Sequence, residues 1–462
     1  MSDKPDDEQP NPFKGTPFEH LFSGGQGGLG GFDLSSLGLG GPGGPGMPDL
    51  GALFGQLQSL MQPYDGALNW DVAADLARKG VAQNPDPTPS TKQADAVADA
   101  VRLADHWLDE ATEFPSGVVS TAAWSRAEWI VGTLDVWKVL VEPVAEQSVH
   151  GLSGALPPEA AAQAGPLIGI LGKAVGAMLA TQVGSGLGEL AGEVLTASDV
   201  GLPLAAPGKA ALVTTNVTAF AEGLGVDEAD VLLYLALREA AHHRLFSHVP
   251  WLRDHLLGAV TDYARGVEIN AESLQRRMEE QLRGIDPSSP ESMQQILEGG
   301  LFDLPQSPAQ TAALERLEIA LALVEGWVDE VVGQATAERM PAAAKLQEAV
   351  RRRRAAGGPA EQTFAALVGL ELRPRRLRDA STLWASLRTR QGTEARDGVW
   401  LHPHLLPTSA DLDDPLGFRE EAAAPVELDE DAFDTELRKL LDGDADGDGP
   451  SSEAGGPGRA PE

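Results

Sequence analysis

No cysteine occurs among the 462 residues, which excludes disulfides, thiolate catalysis and Cys-ligated zinc or iron–sulfur centres. Basic residues are scarce beside acidic ones. The 35 Lys and Arg face 69 Asp and Glu, and the net charge of −34 argues against partners that need a basic surface, namely nucleic acid and anionic membrane. No apolar core follows basic residues in the opening MSDKPDDEQPNPF, so no secretory signal is expected and the expected location is cytoplasmic. An uninterrupted apolar run of about 18 residues is also missing. The most apolar stretch, 160–195, is broken by Lys173, Gln182, Glu189 and Glu193, which excludes a transmembrane reading.

What is present is mostly helical in pattern. The length suits two or three domain-sized units, or one large helical body with tails. Residues 1–47, dominated by Gly and Pro, read as a disordered leader. An N-terminal helical region is expected over 48–200, a second region over 201–418, and an acidic disordered tail over 419–462. Ser90 is placed to cap a helix in which Ala94, Val97, Val101, Ala104 and Leu108 recur at helical spacing. Trp124, Trp129 and Trp137 fall on a further helical stretch ending near Pro143, as core residues. Gly172, Gly176, Gly184, Gly188 and Gly192 recur at about four-residue intervals. They are expected to admit close packing against the central helix described next. The best strand candidate is 202–216.

The central helix is expected over 231–248, VLLYLALREAAHHRLFSH. Its apolar positions show no strand alternation and nothing inside breaks a helix. Within it lie Arg238, Glu239, His242, His243 and Arg244. Ionisable groups on a buried helix need partners elsewhere in the fold. Arg238-Glu239-Ala240-Ala241-His242 fits H-E-x-x-H at every defined position except the first. In that motif two histidines one turn apart hold Zn²⁺ and the Glu is general base on the metal-bound water. A guanidinium has no lone pair for a metal and repels one.

The chain resembles an actinobacterial zinc-dependent metalloprotease-like family of zincin type, related to proteins associated with deazaflavin-coenzyme biosynthesis. Matching segments are LREAAHHRLFSHVPWLRDHL (237–256), ALVEGWVDEVV (322–332), LVGLELRPRRLRDA (367–380) and VWLHPHLLPTSADLDDPLGF (399–418). NWDVAADLARK (69–79) and WSRAEWI (124–130) also match, so the resemblance spans roughly residues 48–418. It implies a mainly α, zincin-like metallopeptidase fold with a small β element, an edge strand that presents backbone to substrate, beside the active-site helix. It also implies zinc as cofactor, Glu239 as catalytic base, His242 and Glu325 as metal ligands, and a peptide or protein as partner.

Three readings of the centre stay open. In an active zinc hydrolase with an altered ligand set, His243 substitutes for the missing ligand, although it lies about 100° around the helix from His242. In a metal-weakened or inactive protein acting by binding, Arg238 replaces the metal and bridges Glu239 and Glu325. In a di-metal carboxylate bundle, Glu239 and His242 join Glu325 and Asp329, but the second Glu-x-x-His such sites use is missing. The arithmetic of ligands favours the second.

Three other features carry less. The run Arg351–Arg354 reads as cations complementing a helix C-terminus. His402 and His404 form an H-x-H pair read as local structure. Asp442, Asp444, Asp446, Gly447 and Glu453 match a calcium-loop pattern, but no exit helix can follow, so calcium is not expected there.

Overall fold

A computed structural model of the chain describes residues 64, 66–154, 165–266, 307–356 and 376–419. Contacts divide the chain into Met1–Met61 and Gln62–Glu462, and every described residue belongs to the second unit. The leader and the acidic tail beyond Arg419 with its calcium-type loop lie outside the described residues.

In chain order the elements are α1 (Trp70–Val81), α2 (Thr91–Leu108), β1 (Ser120–Trp124), α3 (Arg126–Gly154), α4 (Gly165–Glu193) and β2 (Lys209–Val213). There follow α5 (Thr214–Ala221), α6 (Glu228–His248), α7 (Pro250–Arg265), α8 (Pro308–Thr336), α9 (Ala343–Ala356), α10 (Leu377–Asp397) and α11 (Ser409–Asp413). The fold is mainly α, with one two-stranded parallel sheet among the described residues.

Local chemistry sets several boundaries. Ser90 and Gln93 form a reciprocal capping box that starts α2. Ser307 and Gln310 do the same for α8, with Pro308 at its first position. Asp227 caps α6 by accepting from the Ala229 amide.

Four expectations need correction. Trp124 ends β1, and the helix that follows runs through Pro143 to Gly154. The proline removes one helical hydrogen bond without ending the helix. The strand within 202–216 is only Lys209–Val213, and it is not an edge. β1 pairs with it on one side, while Thr196 bridges Leu212 on the other and the Ala197 amide donates to Ala211 O. The glycine face of α4 does permit a close approach, but of α1 rather than the central helix. A Cβ at Gly184 would stand 2.6 Å from Ala73 O, and one at Gly188 3.0 Å from Ala77 O. No described helix, α4 included, is long and apolar enough to cross a membrane.

The core is built around α6, buried on nearly every face from Val231 to Leu245. It packs against α2, α8 and β2. α8 packs in turn against α10, which comes so close that a Cβ on Gly326 would lie 2.5 Å from Ala380 Cβ. The Trp384 indole donates to Leu323 O across the same contact (3.0 Å).

Candidate functional site

Five ionisable side chains enter the core on one stretch of α6, and the helix turns them toward three different surroundings. Arg244 is a tether. Its guanidinium donates to Phe114 O (2.8 Å), Asp105 O (2.6 Å) and Asp109 Oδ1 (2.7 Å), fastening α6 to α2 and the loop beyond. This residue belongs to the architecture.

Glu239 faces the sheet and is fully buried. Its Oε2 accepts from the Ser198 amide (3.1 Å) and its Oε1 from the Ala211 amide (3.3 Å). His243 Nε2 lies 3.3 Å from Oε1. Burial alone would raise this carboxyl, but the His243 imidazole, the Thr196 hydroxyl and His242 outweigh it and hold the group ionised below its usual range. Two backbone amides from different segments converge on the carboxylate, so it joins α6 to β2 and to the 196–198 loop. A general base needs a lone pair aimed at reacting water; here each oxygen already accepts from a backbone amide.

Arg238 and His242, one turn apart, face α8. There Glu325, fully buried, is the hub. Arg238 Nη2 donates to Oε2 at 2.6 Å, while His242 Nε2 and Arg354 Nη2 meet Oε1 at 2.9 and 2.8 Å. Burial pushes the Glu325 carboxyl up, yet Arg354, His242 and Arg238 together hold it far below the carboxylate range. The His242 ring is fixed at both ends: Nδ1 lies 2.8 Å from Arg238 O and Nε2 faces the carboxylate.

The structure therefore brings Arg238, His242 and Glu325 together and leaves Glu239 and His243 on another side of α6. Arg238 does not bridge Glu239 and Glu325. Its second cationic contact is Asp329, with Nη1 at 3.8 Å from Oδ1. His243 is not carried to Glu325, and Asp329 and Glu239 face different elements, so the di-metal set is not assembled.

The residues that sequence reasoning passed over come from α9. Three of the four arginines read as helix-terminal cations reach carboxylates that are buried or nearly so. Arg351 pairs with Asp329, Arg353 with Asp199 (2.9 Å) and Arg354 with Glu325. Only Arg352 stays outside, on Glu348 one turn away. Asp199, unremarked in the sequence, also accepts from the Leu195 amide (2.9 Å). Burial opposes its ionisation, but Arg353 and Arg354 prevail and lower it. His402 and His404 lie on the surface, where the His402 ring caps a short 3₁₀ turn by accepting from the His404 amide (3.2 Å). That is a local structural role.

Zinc, the ion the sequence resemblance implies, does not fit this donor set. Arg238 offers no lone pair, His242 Nε2 already meets Glu325 Oε1 at 2.9 Å, and two guanidiniums stand within hydrogen-bond reach of the carboxylate that would bind the ion. No three His, Asp or Glu side chains among the described residues are gathered to hold a metal.

Comparison with known proteins accords with the helical architecture. The family described as zincin-like metallopeptidase matches residues 68–418. A solved structure from Chloroflexus aurantiacus, provisionally described as a hydrolase with a novel fold, superposes with a TM-score of 0.55 at 19% identity. The match covers 75% of this chain and 96% of that one. At that identity the likeness is one of fold. No curated protein matches the chain.

Proposed function

The chain belongs to the zincin-like metallopeptidase family, and from that premise we propose that it is a metal-independent member acting by binding rather than by hydrolysis. The observation that carries this reading is the short, buried contact between Arg238 and Glu325 (2.6 Å). A permanent cation stands where the motif calls for the first histidine, and it neutralises the acidic ligand from within. Glu239 supports the same reading, since its oxygens accept from the backbone.

Within this proposal the R-E-x-x-H stretch is a degenerate motif, and the chain falls to an actinobacterial branch related to deazaflavin-coenzyme biosynthesis proteins. The partner is a peptide or protein in the cytoplasm. Nucleic acid and anionic membrane are disfavoured by the net charge of −34. The test is a peptide-library digest of the full chain with added Zn²⁺, read by mass spectrometry. The expected result is no cleavage above that of Glu239→Gln. Cleavage that disappears in Glu239→Gln would overturn the proposal and restore the hydrolase.

A further inference from the structure

We infer that Arg354 is the second half of a two-guanidinium substitute for a dication at Glu325, and that α9 is the element that inserts it. This rests on the metal-independent reading above. A divalent ion would bring two positive charges to Glu325. Here Arg238 brings one to Oε2 and Arg354 brings one to Oε1, from separate elements. The two oxygens of one buried carboxylate are thus neutralised independently, one from α6 and one from α9.

The rest of α9 shows that this contact is part of a pattern. Two further arginines of the run meet carboxylates from two different segments: Arg351 meets Asp329 on α8, and Arg353 meets Asp199 in the loop after α4. Leu346 and Val350 are buried on the same helix and seat it against the core. If the run served only the helix dipole, its guanidiniums would need no buried acceptors. That explanation suffices for Arg352 alone, whose side chain is 78% exposed against 5% for Arg354.

The consequence concerns how the site could be returned to a metal. Arg238→His by itself restores a histidine pair one turn apart, but it leaves a guanidinium 2.8 Å from the ligand carboxylate. Zinc binding is therefore expected only when both cations are removed. The experiment titrates Zn²⁺ into full-length parent, Arg238→His, Arg354→Gln, the double variant, and the double variant with Glu325→Ala. Bound metal and Tm are read together.

The expected result is no stoichiometric zinc in the parent or either single variant. The double variant should bind about one zinc per chain, with Tm rising by about 5 °C at roughly a hundredfold excess over Kd. Glu325→Ala should abolish both effects. Arg238→His binding zinc as tightly as the double variant would overturn the inference. So would a double variant that is folded by circular dichroism yet takes no zinc. Should the double variant not fold, Arg354→Gln is compared with Arg352→Gln: the inference expects a loss of about 5 °C in Tm for the first and under about 1 °C for the second. Equal losses would overturn it. Zinc in the parent would instead overturn the metal-independent reading beneath it.

Discussion

Replacing Arg238 by Met removes one counter-ion from a carboxylate that is fully buried. Methionine keeps much of the side-chain volume, so the cavity contribution stays small and the electrostatic one dominates. Breaking a buried pair from one side costs about 3–5 kcal/mol, because the remaining charge is left without its partner. Glu325 keeps Arg354 and His242, which places the cost near the lower end, about 3 kcal/mol. Asp329 loses only a contact at 3.8 Å and retains Arg351 and Ser381. Urea unfolding at pH 7 would show the midpoint falling by about 1 M or more, given m-values of about 1–3 kcal/mol/M. Adding Glu325→Leu to Arg238→Met should cost less than the sum of the single changes, with a coupling of at least about 1 kcal/mol. A loss below about 1 kcal/mol for Arg238→Met would refute the reasoning, since it would mean that the guanidinium contributes no more than an exposed one.

The remaining predictions follow the same network. Glu325 is held below its unfolded value of 4.5, so its pairing contributes fully above that pH and is lost as pH falls through it toward the depressed folded value. Glu325→Gln should therefore flatten the acid limb of a stability-versus-pH curve below about pH 4.5, and an unchanged limb would count against the pairing. Glu239→Gln exchanges an acceptor for an NH₂ facing a backbone amide, so it should cost about 1–3 kcal/mol in chemical denaturation; a neutral result would mean that the carboxylate does not join α6 to β2. Gly326→Ala puts a methyl 2.5 Å from Ala380 Cβ and 2.8 Å from its backbone. It should lower stability by about 1–3 kcal/mol by prising α8 from α10, and a melting temperature equal to the parent's would contradict that contact.

Much of the helical frame was legible because its signals are local. Ser90 with Gln93, the unbroken apolar run of α6, and the share of a helix face between Glu325 and Asp329 are all readable over a few turns. β1 escaped because STAAW is short, has small residues and shows no clear alternation, while the helix after it drew Trp124 into its pattern. The glycines of α4 announce a close approach without saying to what, since any helix with a suitable face satisfies them. At the site, the missing first histidine could be read directly. The fate of the positive charge could not, because Arg354 lies 29 residues from Glu325 and nothing in a run of four arginines distinguishes the three that turn inward. One physical signal was available: buried carboxylates on α8 required cations, and the chain offers few arginine clusters to supply them. The burial of Glu239 under backbone amides of β2 and the 196–198 loop carried no sequence mark at all.

The most direct test is elemental analysis of the full, untagged chain purified without chelator and after exchange into zinc-containing buffer. With guanidiniums in place of the ion, the protein is predicted to carry well under about 0.1 zinc per chain and to keep its Tm when EDTA is added. About one zinc per chain, lost on Glu325→Ala together with several degrees of Tm, would contradict the account and return Glu239, His242 and Glu325 to the roles their motif suggests.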